Sequence, residues 1–244
     1  FGQYGSRALI DMNIIPTEIV LNDSLWYIGN SHFIYTLADS TLEVRNFRFA
    51  NHDQSIYANG SASPRENDSL YVYLSDINLD YFLSYTNIKR AISFTGAITG
   101  WAKLYSLFSH PMFEADVEML NARINNVLVG DAYAKASLDR ENKTVNILGN
   151  IIENTDTVTR VDGLVVPKDK KWDIYLHADS TNVGFISYWT EGLVDNITGR
   201  AFGDIHIFGR EKKVWIEGDA LAQNASITIP FLLQASIIFI SSNP

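Results

Sequence analysis

Alternation of apolar and polar residues is the dominant pattern along this chain. Apolar side chains take every second position at residues 26–28, 70–74, 113–119, 172–176 and 227–229. A period of two places successive side chains on opposite faces of a strand, so each stretch predicts a strand with one dry and one solvated face. Clusters of Asn, Asp, Gly and Ser between the stretches predict tight turns. The turn clusters lie at residues 22–23, 38–40, 51–53, 65–68, 139–143, 154–156 and 167–170.

Two kinds of segment depart from this alternation. Leu42 and Val44 are followed by Phe47 and Phe49, which is a change of parity and predicts a β-bulge near Arg45 and Asn46. Residues 79–85 and 183–189 instead carry apolar side chains at helical spacing. They predict two short helices of about two turns each, which require packing against other elements to be stable.

An internal repeat links these elements. Residues 98–102 (Ile-Thr-Gly-Trp-Ala) recur as residues 197–201 (Ile-Thr-Gly-Arg-Ala) at an offset of 99, and residues 70–74 match residues 172–176 at an offset of 102. Each copy runs strand, short helix, Ile-Thr-Gly strand, then hairpins. The pattern predicts one continuous sheet built from units of about 100 residues. The expected units are residues 1–90, 91–190 and 191–244.

Composition narrows the classes of function. The 244 residues carry a formal charge of −9, and the 19 basic residues are scattered, which argues against nucleic acid as a partner. There is no cysteine, which excludes disulfides, thiolate metal sites and a cysteine nucleophile. No run of about 20 apolar residues is present, and residues 231–240 read as a strand. Because residue 1 is Phe and not Met, we expect a piece of a longer protein.

Candidate chemistry is sparse. The five His residues show no metal-ligand spacing, and His206 alternates with Ile205 and Ile207 as a solvated strand residue does. Glu114, Asp116 and Glu118 share one strand face, a geometry that some β-sandwich glycosidases use for catalysis. Alternating acids usually mark a solvated face, so we expect no enzyme, no cofactor and no metal.

A family resemblance comes from several of these motifs. They are residues 98–102 after a predicted helix, residues 130–134 (Gly-Asp-Ala-Tyr-Ala) before a Leu138-Asp139 turn, and the opening segments 25–28, 42–47, 53–56 and 60–63. Together they resemble the repeats of TamB-like proteins, the translocation and assembly module subunit, in the Asn-, Asp- and Tyr-rich form of Bacteroidetes-type bacteria. The likeness covers most of residues 16–232, and the residues after Leu232 match nothing in it.

The resemblance implies a periplasmic segment of an envelope protein anchored in the inner membrane. Such proteins fold an elongated, curved antiparallel sheet lengthwise into a U-shaped trough, the β-taco, with an apolar interior. They engage an outer-membrane barrel of the Omp85 type. Proposed roles are the transport of phospholipid and assistance to nascent outer-membrane proteins, and no catalytic residue carries over.

The expected lining of the trough consists of bulky apolar side chains from alternating strand positions. Alternation alone favours a closed sandwich core, whereas the repeat and the resemblance favour an open trough. The alternative function is therefore a closed β-sandwich that binds carbohydrate or acts as an adhesin module. The residues expected to line a lipid-binding trough are Ile28, Phe33, Val72, Leu74, Phe113, Val117, Ile147, Trp172, Ile174, Ile205, Val214, Ile216, Ile227 and Ile229.

Overall fold

The structure is a computed structural model that describes residues 2–4, 7–21, 23–78, 93–188, 190, 194–210 and 213–229. The described residues form sixteen strands, as the period-two alternation predicts for its stretches. The strands are β1 (Gly2–Tyr4), β2 (Arg7–Ile14), β3 (Thr17–Leu21), β4 (Ser24–Ile28), β5 (Ser31–Thr36), β6 (Thr41–Asn51), β7 (Gln54–Ala62), β8 (Ser69–Asn78), β9 (Phe94–Tyr105), β10 (Met112–Ile124), β11 (Val127–Asp139), β12 (Thr144–Glu153), β13 (Asp156–Val166), β14 (Lys171–Asn182), β15 (Asp195–Arg210) and β16 (Lys213–Thr228).

All of these strands belong to one long, open, antiparallel sheet. From β5 to β16 each strand pairs with the next in chain order, as hairpin connections allow. The sheet divides at β6, which pairs with β5 through Thr41–Arg45 and with β4 through Phe49 and Ala50. β2 continues the first branch and β3 the second. The closed sandwich of the alternative reading is therefore wrong for the described strands, because they form a single layer.

The turn positions predicted from Asn, Asp, Gly and Ser clusters are confirmed at 38–40, 51–53, 65–68, 139–143, 154–156 and 167–170, where turns or a short 3-10 helix connect the strands. The predicted bulge is also confirmed. Pairing of β6 with β7 shifts between Val44 and Phe47, and Asn46 has φ 53°. The bulge keeps Phe47 on the same face as Val44 despite their odd spacing.

The two predicted helices have different outcomes. The segment at 79–85 lies outside the described residues, as does the strand expected at 231–240. At 183–189 the structure has a single 3-10 helix, Gly184–Tyr188, in place of an α-helix. We call it the rim helix. No helix within the described ranges has the length and apolarity needed to span a membrane.

One face of the sheet carries an unbroken apolar ladder. Twelve residues on twelve strands follow one another through directly paired positions, and each is apolar or glycine. The ladder runs Ile28, Phe49, Ile56, Leu74, Gly100, Val117, Ala134, Gly149, Val161, Leu176, Ile205 and Gly218. Directly opposite residues share a face, so this side of the sheet is apolar from β4 to β16. We call it the apolar face.

The opposite side, the polar face, carries charged and aromatic residues at the intervening positions, with Leu148 as an aliphatic exception. Its matching ladder runs Arg48, Tyr57, Tyr73, Trp101, Asp116, Lys135, Leu148, Asp162, Tyr175, His206 and Glu217. Tyr73 and Tyr175 are 47% and 55% exposed. The two faces of the sheet therefore differ in polarity, as the alternation predicts.

The strand geometry of β9 and β10 recurs in β15 and β16, with an offset of 103 residues. Gly100 pairs with Val117 as Gly203 pairs with Ala220, and all four lie on the apolar face. Left-handed asparagines, Asn121 at φ 51° and Asn224 at φ 49°, interrupt β10 and β16 at matching positions. This offset matches Gly100 with Gly203, whereas the offset of 99 from the Ile-Thr-Gly motif matches Gly100 with Gly199.

The sheet curls toward its apolar face in the β11–β14 region. β11 contacts β14 although β12 and β13 lie between them. The side-chain amide of Asn182, at the end of β14, donates a hydrogen bond to the Leu128 carbonyl on β11 at 3.2 Å. The rim helix follows β14, and its Phe185 is only 2% exposed within a cluster of ten buried apolar residues. The curl thus encloses part of the apolar face.

Candidate functional site

The residues expected to line an apolar surface lie together on the apolar face. Twelve of the fourteen belong to its paired rows: Ile28, Phe33, Val72, Leu74, Phe113, Val117, Ile147, Trp172, Ile174, Ile205, Val214 and Ile216. Ile227 lies beyond the interruption at Asn224 and returns to the same face by alternation. Ile229 lies just past the end of β16. The structure therefore brings twelve of the fourteen positions onto one surface by direct strand pairing.

Sequence reasoning missed the small residues of this surface. Gly100, Ala134 and Gly149 lie in the twelve-strand ladder, and Ala102 and Ala136 lie in the adjacent row. Gly and Ala give a weak hydropathy signal, so alternation of bulky residues did not reveal them. Of these five residues, Gly100 alone has a positive φ, of +153°. Its Thr-Gly pair at 99–100, like the pairs at 95–96 and 198–199, was a usable signal. Because their side chains are short, these residues project little from the sheet in the middle of the apolar face.

Exposure varies across the apolar face and is high on two of its outer strands, β2 and β16. Ile205 and Ile207, next to the curl, are each 6% exposed. Ile216 on the last described strand is 37% exposed, and Met12 on β2, which shares the face through its pairing with Phe33, is 49% exposed. Exposed contiguous apolar surface on a folded protein usually marks a binding site. Accessible apolar surface is therefore present on β2 and on β16.

The rim helix is tied to the β10–β11 turn by one side chain. Asn125 donates from Nδ2 to the Phe185 carbonyl at 3.1 Å and accepts at Oδ1 from the Ser93 N–H at 3.0 Å. Ser187 and Ile197 add a second tie, in which the Ile197 N–H donates to the Ser187 hydroxyl at 2.9 Å. These bonds hold Phe185 against Ala122, Val129 and other residues of the apolar face. The chain itself therefore covers one margin of this face.

One polar pair interrupts the apolar face. Thr159, 0% exposed, lies between Ile151 and Ala178 in a third row of paired residues. Its hydroxyl lies 2.7 Å from that of Thr181, which in turn donates to the Val158 carbonyl at 3.0 Å. Buried hydroxyls are tolerated where they are hydrogen-bonded. The interruption is thus satisfied internally.

An ion pair fastens the same margin of the sheet. Both terminal nitrogens of Arg200 on β15 bond to the carboxylate of Glu153 on β12, with Nη2 to Oε1 at 2.9 Å. The hydrogen bond from Arg200 lowers the pKa of Glu153, and its charge acts in the same direction. Bidentate geometry adds direction as well as energy to such a pair. β12 and β15 are thereby joined across two intervening strands.

A cavity of about 990 Å³ opens beneath the rim helix. Apolar Val127 and Ile197 contribute to one part of its lining, while Asn182, Tyr188 and Arg200 contribute polar groups. Asn182 is fixed there, since its Oδ1 accepts from the Gly184 N–H at 3.0 Å. The cavity therefore lies at the boundary between the apolar face and polar surroundings.

The candidates for metal binding or catalysis lie on the polar face. His206 stacks on Tyr175 with ring centroids 4.1 Å apart and bonds Asp173. Glu114 accepts a hydrogen bond from the Tyr105 hydroxyl at 3.2 Å, and Asp116 pairs with Lys135 at 3.4 Å. Among the described residues, no group of three or more His, Asp or Glu side chains is arranged to hold a metal ion.

Comparison with known proteins adds no relative. No protein-family model, no curated protein and no solved structure matches the chain.

Proposed function

We propose that this chain binds phospholipid acyl chains on its apolar face, as a periplasmic segment of a TamB-like envelope protein. The observation that carries the proposal is the ladder of twelve apolar or glycine residues from Ile28 to Gly218. At about 4.8 Å per strand, such a ladder extends about 50 Å across the sheet. Folded lengthwise, such a sheet forms a trough whose inner surface is apolar.

The free energy of burying hydrocarbon favours the binding of an acyl chain to the apolar face. Burial of each CH₂ stabilises by about 0.8 kcal/mol, so a 16-carbon chain gains on the order of 10 kcal/mol and largely offsets its loss from a bilayer. Neighbouring positions of similar apolarity make binding nearly equal along the ladder. Nearly equal sites permit movement along the surface, whereas one deep pocket retains its ligand.

Lipid fits this surface better than a nascent barrel strand does. The ladder offers side chains of the sheet face, and an incoming strand needs unpaired backbone groups at a sheet edge. Assistance to outer-membrane proteins is therefore the second role. The Omp85-type barrel partner, the inner-membrane anchor and the periplasmic location rest on the family resemblance.

The proposal includes repeated units of about 103 residues in one continuous sheet. Its support is the matched pairing of β9 with β10 and of β15 with β16, including the left-handed Asn121 and Asn224. Equal units stacked along one sheet extend an apolar floor without changing its cross-section. That geometry suits a surface along which a ligand moves.

Photo-crosslinking tests the proposal with two aromatic positions. A benzoylphenylalanine in place of Phe113 lies on the apolar face, and one in place of Tyr73 lies on the polar face. After expression in bacteria and irradiation, we expect phospholipid adducts at position 113 and few at position 73. Native mass spectrometry of the unmodified protein should show co-purified phospholipid. Equal labelling at both positions, or none at either, contradicts the proposal.

A charge placed in the ladder provides a second test. Val117→Asp puts a carboxylate between Gly100 and Ala134, and desolvation of that charge opposes an acyl chain. Leu148→Asp is the matched control, because Leu148 is on the polar face and 61% exposed. We expect bound lipid to fall about tenfold or more in the first variant and to stay unchanged in the second. Circular dichroism establishes that both variants are folded.

A further inference from the structure

We propose that the cavity beneath the rim helix binds the head group of an amphiphile, and that this head group carries no net charge. The inference rests on the lipid-binding function proposed above and adds a preference between lipid classes. Acyl chains would lie on the apolar face while the head group occupies the cavity of about 990 Å³. The shared chemistry of the ligand is a neutral or zwitterionic group rich in hydrogen-bonding atoms.

The position of the cavity matches the boundary within an amphiphile. Two half-buried apolar residues of its lining, Val127 and Ile197, also pack on the buried cluster around Phe185. Asn182 and Arg200 contribute polar groups to the lining of the same cavity. A ligand that spans this boundary buries its apolar part against Val127 and keeps its polar part hydrated or hydrogen-bonded.

The charges of the cavity disfavour an anion. Arg200 is the one charged side chain among the described residues that line it, and both of its terminal nitrogens already bond Glu153. Nη1 also donates to the Ser180 carbonyl at 3.0 Å. The pair is electrically neutral, and the chain as a whole carries −9. An anionic head group would therefore meet a repulsive field, and the described residues of the lining offer no free cation to offset it.

Uncharged polar groups are available for a neutral head group. The side chains of Tyr188, Asn196, Thr198 and Asn224 line the cavity, and within the described part of the chain no hydrogen bond engages them. Hydroxyls and amides both donate and accept, so they suit phosphoethanolamine or sugar hydroxyls equally. Asn125 and Asn182 are instead committed to holding the rim helix and β11 in place. Asn125 and Asn182 thus fix the lining of the cavity, and the polar groups of the other four side chains remain available to a ligand.

Lipid selection from a mixed membrane tests the inference. The full chain is incubated with vesicles of equimolar phosphatidylethanolamine and phosphatidylglycerol, re-isolated, and its bound lipid is quantified by mass spectrometry. We expect phosphatidylethanolamine to be enriched about fivefold over phosphatidylglycerol, because both head groups can form hydrogen bonds in the cavity and only the second carries a net negative charge. Enrichment of phosphatidylglycerol, or a ratio equal to that of the vesicles, overturns the inference and leaves the acyl-chain function standing. Absence of both lipids overturns the inference together with the proposed function.

Paired substitutions separate the cavity from the apolar face. Tyr188→Phe combined with Thr198→Val removes two hydroxyls at nearly constant shape, and we expect the ratio to return to that of the vesicles while total lipid is unchanged. Tyr175→Phe is the matched control, because it removes a hydroxyl on the polar face that is 55% exposed. Thr198→Lys adds an unpaired cation and should shift selection toward phosphatidylglycerol. An unchanged ratio in both cavity variants overturns the assignment of the head group to this cavity.

Discussion

Gly100 and Val117 face each other at the middle of the apolar ladder, and their backbones approach too closely for a side chain on Gly100. A Cβ there would lie 2.3 Å from the Asp116 carbonyl oxygen and 2.7 Å from the Val117 Cα. The φ of Gly100 is +153°, which L-residues rarely adopt. Gly203 has the same environment, 2.3 Å from the Asp219 carbonyl oxygen. The same close approach of the backbones therefore occurs between β9 and β10 and between β15 and β16.

Gly100→Ala should accordingly destabilise the protein by about 3 kcal/mol, since the Cβ must displace backbone and not a flexible side chain. Urea unfolding followed by tryptophan fluorescence measures the loss. Gly29→Ala is the control, because a Cβ at Gly29 meets nothing nearer than the Arg48 Cβ at 3.6 Å. A similar loss in the two variants would show that the close approach at Gly100 is not the cause.

Loss of the Glu153 carboxylate should give a pH-dependent defect. Arg200 lowers the pKa of Glu153 in the folded protein, so the ion pair stabilises above the unfolded pKa of about 4.3 and its contribution is lost as pH falls through the folded pKa. We expect Glu153→Gln to cost about 1 kcal/mol at pH 7 and to match the parent protein at the acid end of the titration. Unfolding free energies measured from pH 7 downward check this.

The control for this titration is Glu141→Gln in the β11–β12 turn, where Glu141 is exposed and forms no ion pair with the described residues. It should leave stability unchanged across the same range. A difference between Glu153→Gln and the parent protein that persists undiminished at the lowest pH would contradict the assignment of the effect to this carboxylate.

The two buried threonines should behave as a coupled pair. Thr181 donates to the Val158 carbonyl, so the Thr159 hydroxyl donates to Thr181. Thr181→Val leaves the fully buried Thr159 hydroxyl without its acceptor and should cost about 2 kcal/mol. The double change to valine removes both hydroxyls and should cost less than the sum of the single changes. Additive losses in a double-mutant cycle would argue against coupling.

Removal of the Asn125 side chain should release the rim helix. Asn125 adopts φ 49°, so Asn125→Gly removes the hydrogen bonds to Ser93 and Phe185 without introducing backbone strain. We expect faster amide hydrogen exchange across residues 184–188, with the strands protected as before. Asn126→Gly is the control, since Asn126 shares the turn at φ 66° and its side chain forms no hydrogen bond with a described residue. Its backbone carbonyl accepts a hydrogen bond from Arg123, which the substitution leaves in place. Equal exchange in the two variants would exclude the role of Asn125.

Local patterns predicted the strands, most turns and the bulge at Asn46, because side-chain period and turn chemistry are properties of short segments. The same patterns placed bulky residues such as Val117 and Ile174 on one face. They do not fix the register of the repeat, for which the Ile-Thr-Gly motif suggests an offset of 99 residues and the matched strand pairing an offset of 103. Motif likeness does not report hydrogen-bond partners, and one bulge changes the alignment.

The sequence by itself determined the all-β class and the separation of apolar from polar faces, since both follow from alternation along single strands. Only the tertiary structure decided that the described strands stay in one open sheet, that β11 meets β14, and that Asn125 anchors the rim helix. Those contacts join residues far apart in the chain. They depend on twist and bulges accumulated over many strands, which no local pattern encodes.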